Sequence, residues 1–587
     1  MRKKMKRILA YLLLLSLFVT GIAGNTVTTE AAAKPVRIKL SGADIKKLGF
    51  DTVMQRALNE AKEKATAKKP YEITVPKGKY QLKHTLLIYS NTKVLLKGVT
   101  LYADEGKNVF HVGALDEDSK GATGYCYKNI TIQGGTLDGK KHSGTVLKVG
   151  HAENFVLKDA TLCNVKNAHL METGGVKKLT VKNCTFKNQT STSDGITYYE
   201  AIQLDVLYPW HLVAYRGETL NTTDVLIEGC SFTNTPRGVG SHTAILNQPM
   251  KNITITDCTF TKMGSIAIQG LNWQNAIIKN NVIQDSPRGI VCYLAAGMGQ
   301  GTYLPSVIAK AGKTKTALSD RYAAPREDMK LVIQNNTITT NDKTDPYAFY
   351  ERLAIAVNGI EIRERMKKNK DKSGALPVGN YYYSGVKILD NTITTAGHGI
   401  RCMDARKVEI SGNSITAKEG SNNSGYNGIQ LLEKCEDISI WNNEIRDMGN
   451  NGIYVNRESK AKEIAKNTIT DCGKYGIGLE TAEAERITEN VISNVKEKGI
   501  FVYNKASVQE ISGNTIDTVL DAKGRGIHVC EQSAAGAVMK NVLNNPGEYG
   551  IIASSSSSID EVSENEIAGA TVKPIYAPRG STIKSGY

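Results

Sequence analysis

The sequence predicts an all-β fold: one parallel β-solenoid, capped by a helix at its N-terminal end and carrying loop insertions along one face. Two registered repeats support this. Gly-Ile recurs at Gly428, Gly452, Gly476, Gly499, Gly526 and Gly550, in steps of 24, 24, 23, 27 and 24 residues. A second frame runs through Asn183-Cys184-Thr185-Phe186, Gly229-Cys230-Ser231-Phe232 and Asp257-Cys258-Thr259-Phe260. Asparagine then takes the cysteine's place at Asn281, Asn336, Asn391, Asn413, Asn443, Asn467, Asn490, Asn514, Asn541 and Asn565, spaced 22 to 30 residues once insertions are discounted. Each unit reads as short alternating strands, for example Val408-Glu409-Ile410, Asn413-Ser414-Ile415 and Gly428-Ile429-Gln430-Leu431. No unit holds a helical period long enough for a βαβ crossover, so the strands stack coil upon coil. The asparagines are expected to form an internal ladder that satisfies turn backbone groups.

The ends of the chain set its organisation. Five bases (Arg2, Lys3, Lys4, Lys6, Arg7) precede an apolar run from Ile8 to Ala23, and Ala31, Ala32 and Ala33 supply a small-residue cleavage site. Residues 1–33 therefore read as a secretory signal peptide, and 34–587 as one solenoid domain with a cap at about 40–70 and coils at about 71–570. Asp51 to Ala65 is amphipathic and helical, suited to covering an open core. The protein is expected to be secreted, extracellular and monomeric, with no membrane span after cleavage. Composition, 41% hydrophobic and 22% charged, excludes a disordered chain or a multi-span membrane protein. Without residues 1–33 the chain has 69 bases against 57 acids, a net +12, which favours an anionic polysaccharide partner. No nucleic-acid motif accompanies the charge. The ten cysteines are read as ladder and core members rather than bridge halves, because three share a column with asparagines that cannot bridge.

These repeats, with Val75-Pro76-Lys77-Gly78-Lys79-Tyr80 following the cap helix, resemble the right-handed parallel β-helix superfamily of pectate lyases, polygalacturonases and related polysaccharide-active proteins. The resemblance spans roughly residues 40–570 and implies a right-handed coil and a carbohydrate substrate or ligand. It leaves the chemistry open, because one fold hosts many functions. The paired aspartates of a polygalacturonase-like hydrolase are absent. Gly397-His398-Gly399 resembles that family's histidine motif yet falls on the ordinary Gly-Ile repeat. No cofactor is called for; Ca2+ stays open, since the clustered aspartates that hold it in pectate lyases are not evident.

Function is expected where the solenoid departs from its period. Insertions follow Asp205, Tyr293 and Arg363, running to about Asp224, Asp328 and Ser384, and the 116–128 stretch leaves at the same corner. Loops stacked at one corner wall a groove along the rod. The first insertion carries the sugar-stacking candidates Trp210 and His211. Four coils align at the Gly-Ile strand: Glu200 to Asp205, Arg237 to His242, Ile266 to Leu271 and Arg288 to Tyr293. With Ile202, Val239, Ile268 and Ile290 inward, Gln203 and Asp205 point outward, and Asp205 stands beside His242 at a strand spacing of about 4.8 Å. Glu200 stands beside Arg237, with Arg288 two rungs on. His169 and Glu172 extend the face by one coil, and Trp273 lies just beyond it. Later coils place Leu432, Asn456, Glu480 and Tyr503 in the Asp205 column, an unremarkable set.

Asp205, His242, Glu200 and Arg237 are thus the catalytic candidates, with Gln203, Trp210, His211, Trp273, Arg288, His169 and Glu172 as substrate contacts. Glu200 and Asp205 suit a glycosidase pair. Alternatively His242 or Asp205 is the base of a β-elimination, with Arg237 or Arg288 stabilising the enolate. A polysaccharide lyase or glycoside hydrolase is one reading. The other is a non-catalytic β-helix that binds surface glycans or host matrix, its charged column being only a salt-bridge ladder.

Overall fold

The computed structural model describes residues 34–115, 122–191, 199–207, 220–241, 243–245, 248–294, 301–303, 328–343, 351–362 and 379–586. The expected signal segment and the central parts of the three insertions lie outside the described residues. Apart from two cap helices and two short accessory sheets, the described strands form one continuous parallel sheet wound into a solenoid.

Each coil has three strand positions. In one coil they are His398–Met403, Ala405–Ser411 and Ser414–Ala417. The next coil pairs with all three in parallel, setting Ile429 beside Ile400, Ile438 beside Val408 and Ile445 beside Ile415. Alternation turns these β-branched side chains inward, so a single apolar core runs through the rod. The glycine of Gly-Ile is demanded by close approach. A Cβ on Gly428 would stand 2.4 Å from Ile445 Cγ2 and 2.7 Å from the Gly452 carbonyl oxygen.

The asparagine column forms the expected ladder. Oδ1 of Asn336 accepts both the backbone N–H and the side-chain N–H of Asn281, each at 3.0 Å, and Asn336 Nδ2 donates to the Ile278 carbonyl at 3.0 Å. The same bonds repeat down to Asn565. Cys184, Cys230 and Cys258 fill the earlier rungs, and all ten cysteines are free thiols. Below them Phe186, Phe232 and Phe260 stack at 5.0 and 4.6 Å.

The cap consists of α1 (Gly42–Leu48) and α2 (Phe50–Lys64), a close match to the predicted Asp51–Ala65 helix. The Ser41 hydroxyl accepts the Asp44 N–H to start α1. Phe50, Met54, Ala57 and Leu58 of α2 close the end of the core, at the spacing of one helical face.

The insertions do leave at one corner, after the Gly-Ile strand. Leu207 and Leu220 exchange backbone hydrogen bonds of 2.8 and 2.7 Å at the stem of the first. Short accessory sheets mark the others: Thr243–Ile245 pairs with Gly301–Tyr303, and Ile360–Ile362 with Gly379–Tyr381.

Candidate functional site

Register decides which polar side chains meet on the Gly-Ile sheet. Met171 pairs with Ile202, which puts His169 level with Glu200; Glu200 pairs with Arg237 and Arg237 with Ile266. Ile266 in turn pairs with Arg288. The expected Glu200–Arg237 pairing, with Arg288 two rungs on, is therefore present, while the expected Asp205–His242 pairing falls on a residue outside the described ones.

Its charges face one another. Arg237 Nη1 donates to Glu200 Oε1 at 3.3 Å, and His169 Nδ1 lies 3.0 Å from the Glu200 carbonyl oxygen and 3.6 Å from Oε2. Glu200 is 0% exposed and Arg237 1%. Buried charges persist only when paired and hydrogen-bonded, so this trio ties three coils together. Arg288, equally buried, donates through Nη2 to Ser265 Oγ at 2.8 Å.

Gln203 and Asp205 differ from the expected solvated pair. They hold the outward positions of their strand, yet both are buried. Gln203 Nε2 donates to Asp205 Oδ2 at 2.7 Å, and Thr222 Oγ1 donates to the Asp205 carbonyl at 2.6 Å. The physical reason lies at the insertion stem: a Cβ on Gly175, next to the Gly174 that pairs with Asp205, would meet Leu220 and Leu207 at 3.0–3.1 Å. The stem lies over this end of the strand. Glu172, in register with Gln203, is bonded to Thr145 Oγ1 at 3.1 Å and to Lys148 Nζ at 3.2 Å.

Trp273 is a core side chain rather than a platform beside the groove. It is 0% exposed, its indole N–H donates to Ser241 Oγ at 2.9 Å, and its carbonyl accepts the Tyr383 hydroxyl at 2.6 Å. Ser241 in turn donates to the Leu204 carbonyl, so the chain reaches the expected neighbourhood of Asp205. His242, Trp210 and His211 lie outside the described residues.

Two clusters escaped the sequence reading. In the first, Arg401 Nη1 bonds the Glu351 carboxylate, and His398 Nε2 stands 3.4 Å from it. The Asn427 N–H donates to His398 Nδ1 at 3.1 Å, which leaves Nε2 as the protonated nitrogen facing Glu351. The hydrogen bond from His398, with the charge of Arg401, pulls the Glu351 carboxyl down to about 2, while burial pushes His398 below its ordinary value. His398 still obeys the repeat, since Ile400 pairs with Ile355 and Ile429. The second cluster lies further along, where Tyr454 and Tyr503 both donate to Glu480. Aromatic residues at Tyr454, Tyr475, Phe501 and Tyr503 were its readable signal. Among the described residues no three His, Cys, Asp or Glu side chains gather into a metal site.

Comparison with known proteins adds two family matches, one relative and two similar solved structures. The right-handed β-helix region family matches residues 120–305 and 213–417, together just over half of the chain. The family described as periplasmic copper-binding protein (NosD) matches residues 364–571; among the described residues no three His, Cys, Asp or Glu side chains stand together to hold copper. Plasmin and fibronectin-binding protein A of Streptococcus pneumoniae is 23% identical over 449 residues, covering 68% of this chain and 57% of that protein, so the chain spans little more than half of that relative's length. The crystal structure of PfbA, a surface adhesin of Streptococcus pneumoniae, is similar with a TM-score of 0.48 at 17% identity, over 76% of this chain and 92% of the other. The tailspike protein of E. coli bacteriophage HK620 gives 0.36 at 12% identity, over 90% and 76%.

Proposed function

The chain belongs to the right-handed β-helix family, and from that premise we propose that it is an extracellular polysaccharide-binding protein, holding a glycan along the outer face of its Gly-Ile sheet without cleaving it. The observation that carries this reading is the fate of Glu200 and Asp205. They are five residues apart, so they lie on opposite faces of one strand and about 16 Å apart along the backbone. A hydrolytic carboxylate pair stands about 5–9.5 Å apart on either side of the scissile bond. Both side chains are buried, and each is used in bonds within and between coils. A β-eliminating base must reach a substrate proton, and neither carboxylate is open to one; His242, the other candidate base, lies outside the described residues.

Two further points support binding. The relative that shares 23% identity is named for binding plasmin and fibronectin, a role that needs a surface rather than titratable groups. Outside the core, Ile266, Leu271, Val291, Tyr293, Leu353 and Ala356 form a separate apolar group on the Gly-Ile sheet, the kind of rigid base on which insertions can build a groove. The N-terminal run of bases, apolar residues and alanines supports an extracellular location.

The test is retention of the purified protein on immobilised polysaccharides, compared with fibronectin and plasmin surfaces at physiological salt. Retention on polysaccharide supports the proposal. Retention on the proteins alone overturns it in favour of a protein-binding adhesin.

A further inference from the structure

Between residues 430 and 530 no insertion rises over the Gly-Ile sheet, and all of its residues are described. Two outward columns run here. One carries Gln430, Tyr454, Gly478, Phe501 and His528; the other carries Asn456, Glu480 and Tyr503. Tyr454 and Tyr503 both donate to Glu480 Oε2, the latter at 3.2 Å, and their hydroxyls are 3.2 Å apart. The Tyr503 ring stacks on Phe501 at 4.1 Å, and Phe501 on His528 at 5.1 Å. Tyr475 meets Phe501 edge-on at 4.9 Å, and together with Cys530 they form an apolar group separate from the core. Gly478 leaves no side chain on the rung between Tyr454 and Phe501; a Cβ there would stand 3.2 Å from both Tyr454 and Tyr475.

Beside these rings are polar atoms with nothing to bond. Gln430 Oε1, Asn456 Oδ1 and His528 Nδ1 are buried and have no hydrogen-bond partner. Their residues are 9%, 9% and 7% exposed. A buried polar atom left unpaired costs about 1–3 kcal/mol, so such atoms in a native protein point to a missing partner. His528 Nε2 already bonds Ser554 Oγ at 2.8 Å, which leaves Nδ1 as the open nitrogen.

We propose that this face is a subsite for a neutral, hydroxyl-rich saccharide chain, a proposal that rests on the glycan-binding reading above and names the class of glycan. The chemistry selects the ligand. The two unpaired amide oxygens accept, His528 Nδ1 accepts or donates with its tautomer, and a sugar hydroxyl, which both donates and accepts, can meet all three. The half-buried rings of Tyr454 and Tyr503 offer aromatic surface to the apolar C–H face of a pyranose, with Phe501 buried behind them between Tyr503 and His528. A uronate would set its own carboxylate against Glu480 and against acceptors that cannot donate to it. The nearby cations are engaged: Lys498 lies over Tyr475 and Phe501 at 5.0 and 4.6 Å, and Arg525 pairs with Glu548 at 3.7 Å.

The experiment uses the full secreted chain and three immobilised probes, a neutral glucan, a mannan and polygalacturonate, with Tyr503→Ala and Gln430→Met as variants. The expected result is retention on a neutral polymer, weakened about tenfold by each variant, the equivalent of one lost ring contact or hydrogen bond. Gln430→Met is the discriminating arm. It removes an oxygen that bonds nothing in the free protein, so its melting temperature should stay level or rise while binding falls; a purely structural glutamine would show the reverse. Retention on polygalacturonate alone, or neutral binding unchanged in both variants, overturns the subsite and leaves the glycan-binding reading standing. Retention on none of the three overturns both.

Discussion

The backbone N–H of Cys258 donates to Oδ1 of Asn281 at 3.0 Å, and at that bond a ladder of cysteines becomes a ladder of asparagines. Above it the Cys184 and Cys230 N–H groups point to the sulfurs of Cys230 and Cys258 at 3.5 and 3.4 Å. A thiol is a weak acceptor and an amide oxygen a strong one. The asparagine rungs therefore hold the coils more tightly than the cysteine rungs do.

Asn467→Ala should cost more than the usual surface substitution. Asn467 is fully buried; its Oδ1 serves two donors of Asn443, and its Nδ2 serves the Ile440 carbonyl. Truncation leaves those groups unpaired, and a loss on the order of 3 kcal/mol is expected from denaturant unfolding. A loss below about 0.5 kcal/mol, the surface range, would mean the ladder adds little.

Thiol chemistry should separate one cysteine from nine. Cys126 is exposed, and the other nine are buried. Burial pushes Cys163, Cys292, Cys435 and Cys472 up to about 12, far from thiolate formation at neutral pH. Titration of the native protein with a thiol reagent should label one site, and denaturation without reductant should open all ten. Fewer than ten in the denatured chain would reveal a disulfide.

Glu200→Gln should destabilise the protein strongly. The amide keeps the shape but removes the charge that compensates Arg237, which is buried against it. Breaking a buried pair from one side costs about 3–5 kcal/mol. An unchanged denaturation midpoint would show that Glu200 is not held for the fold and would revive it as a catalytic acid.

His528 should make the protein acid-sensitive. Burial, then the charges of Arg525 and Lys498, pull its pKa down to about 3. In the unfolded chain it takes up a proton near pH 6.5. Protonation therefore favours unfolding, and the stability tied to this group is full above about pH 6.5 and lost progressively between about 6.5 and 3. His528→Gln should flatten that part of the stability–pH curve. Parallel curves for the two proteins would contradict the neutral, buried imidazole.

Much of this was legible in the chain because each repeat answers a physical need. Gly428 is read from spacing since only glycine fits beneath the next coil, and Asn281 to Asn565 since an amide accepts strongly and donates within one column, where the three cysteines do so weakly. Strand register likewise predicted that Glu200 would meet Arg237. What sequence could not supply was cover. Gln203 and Asp205 take outward positions as predicted but lie beneath the stem at Leu207 and Leu220, a contact made by residues far from them in the repeat. Trp273 follows the strand in sequence as a sugar platform would, but its side chain is buried and its indole N–H is bonded to Ser241. The Tyr454–Glu480–Tyr503 group was overlooked because it spans two columns, and a single column read alone shows only an ordinary Glu480 and Tyr503.

The most direct test of binding without cleavage is product release. The protein should be held with each polysaccharide that retains it, and both new reducing ends and absorbance near 235 nm, the mark of an unsaturated uronate, should be followed over time. The account predicts that neither rises above the polymer-only control while the glycan stays bound. A steady rise in either, lost in Asp205→Asn, would contradict it and make the Glu200–Asp205 strand an active site.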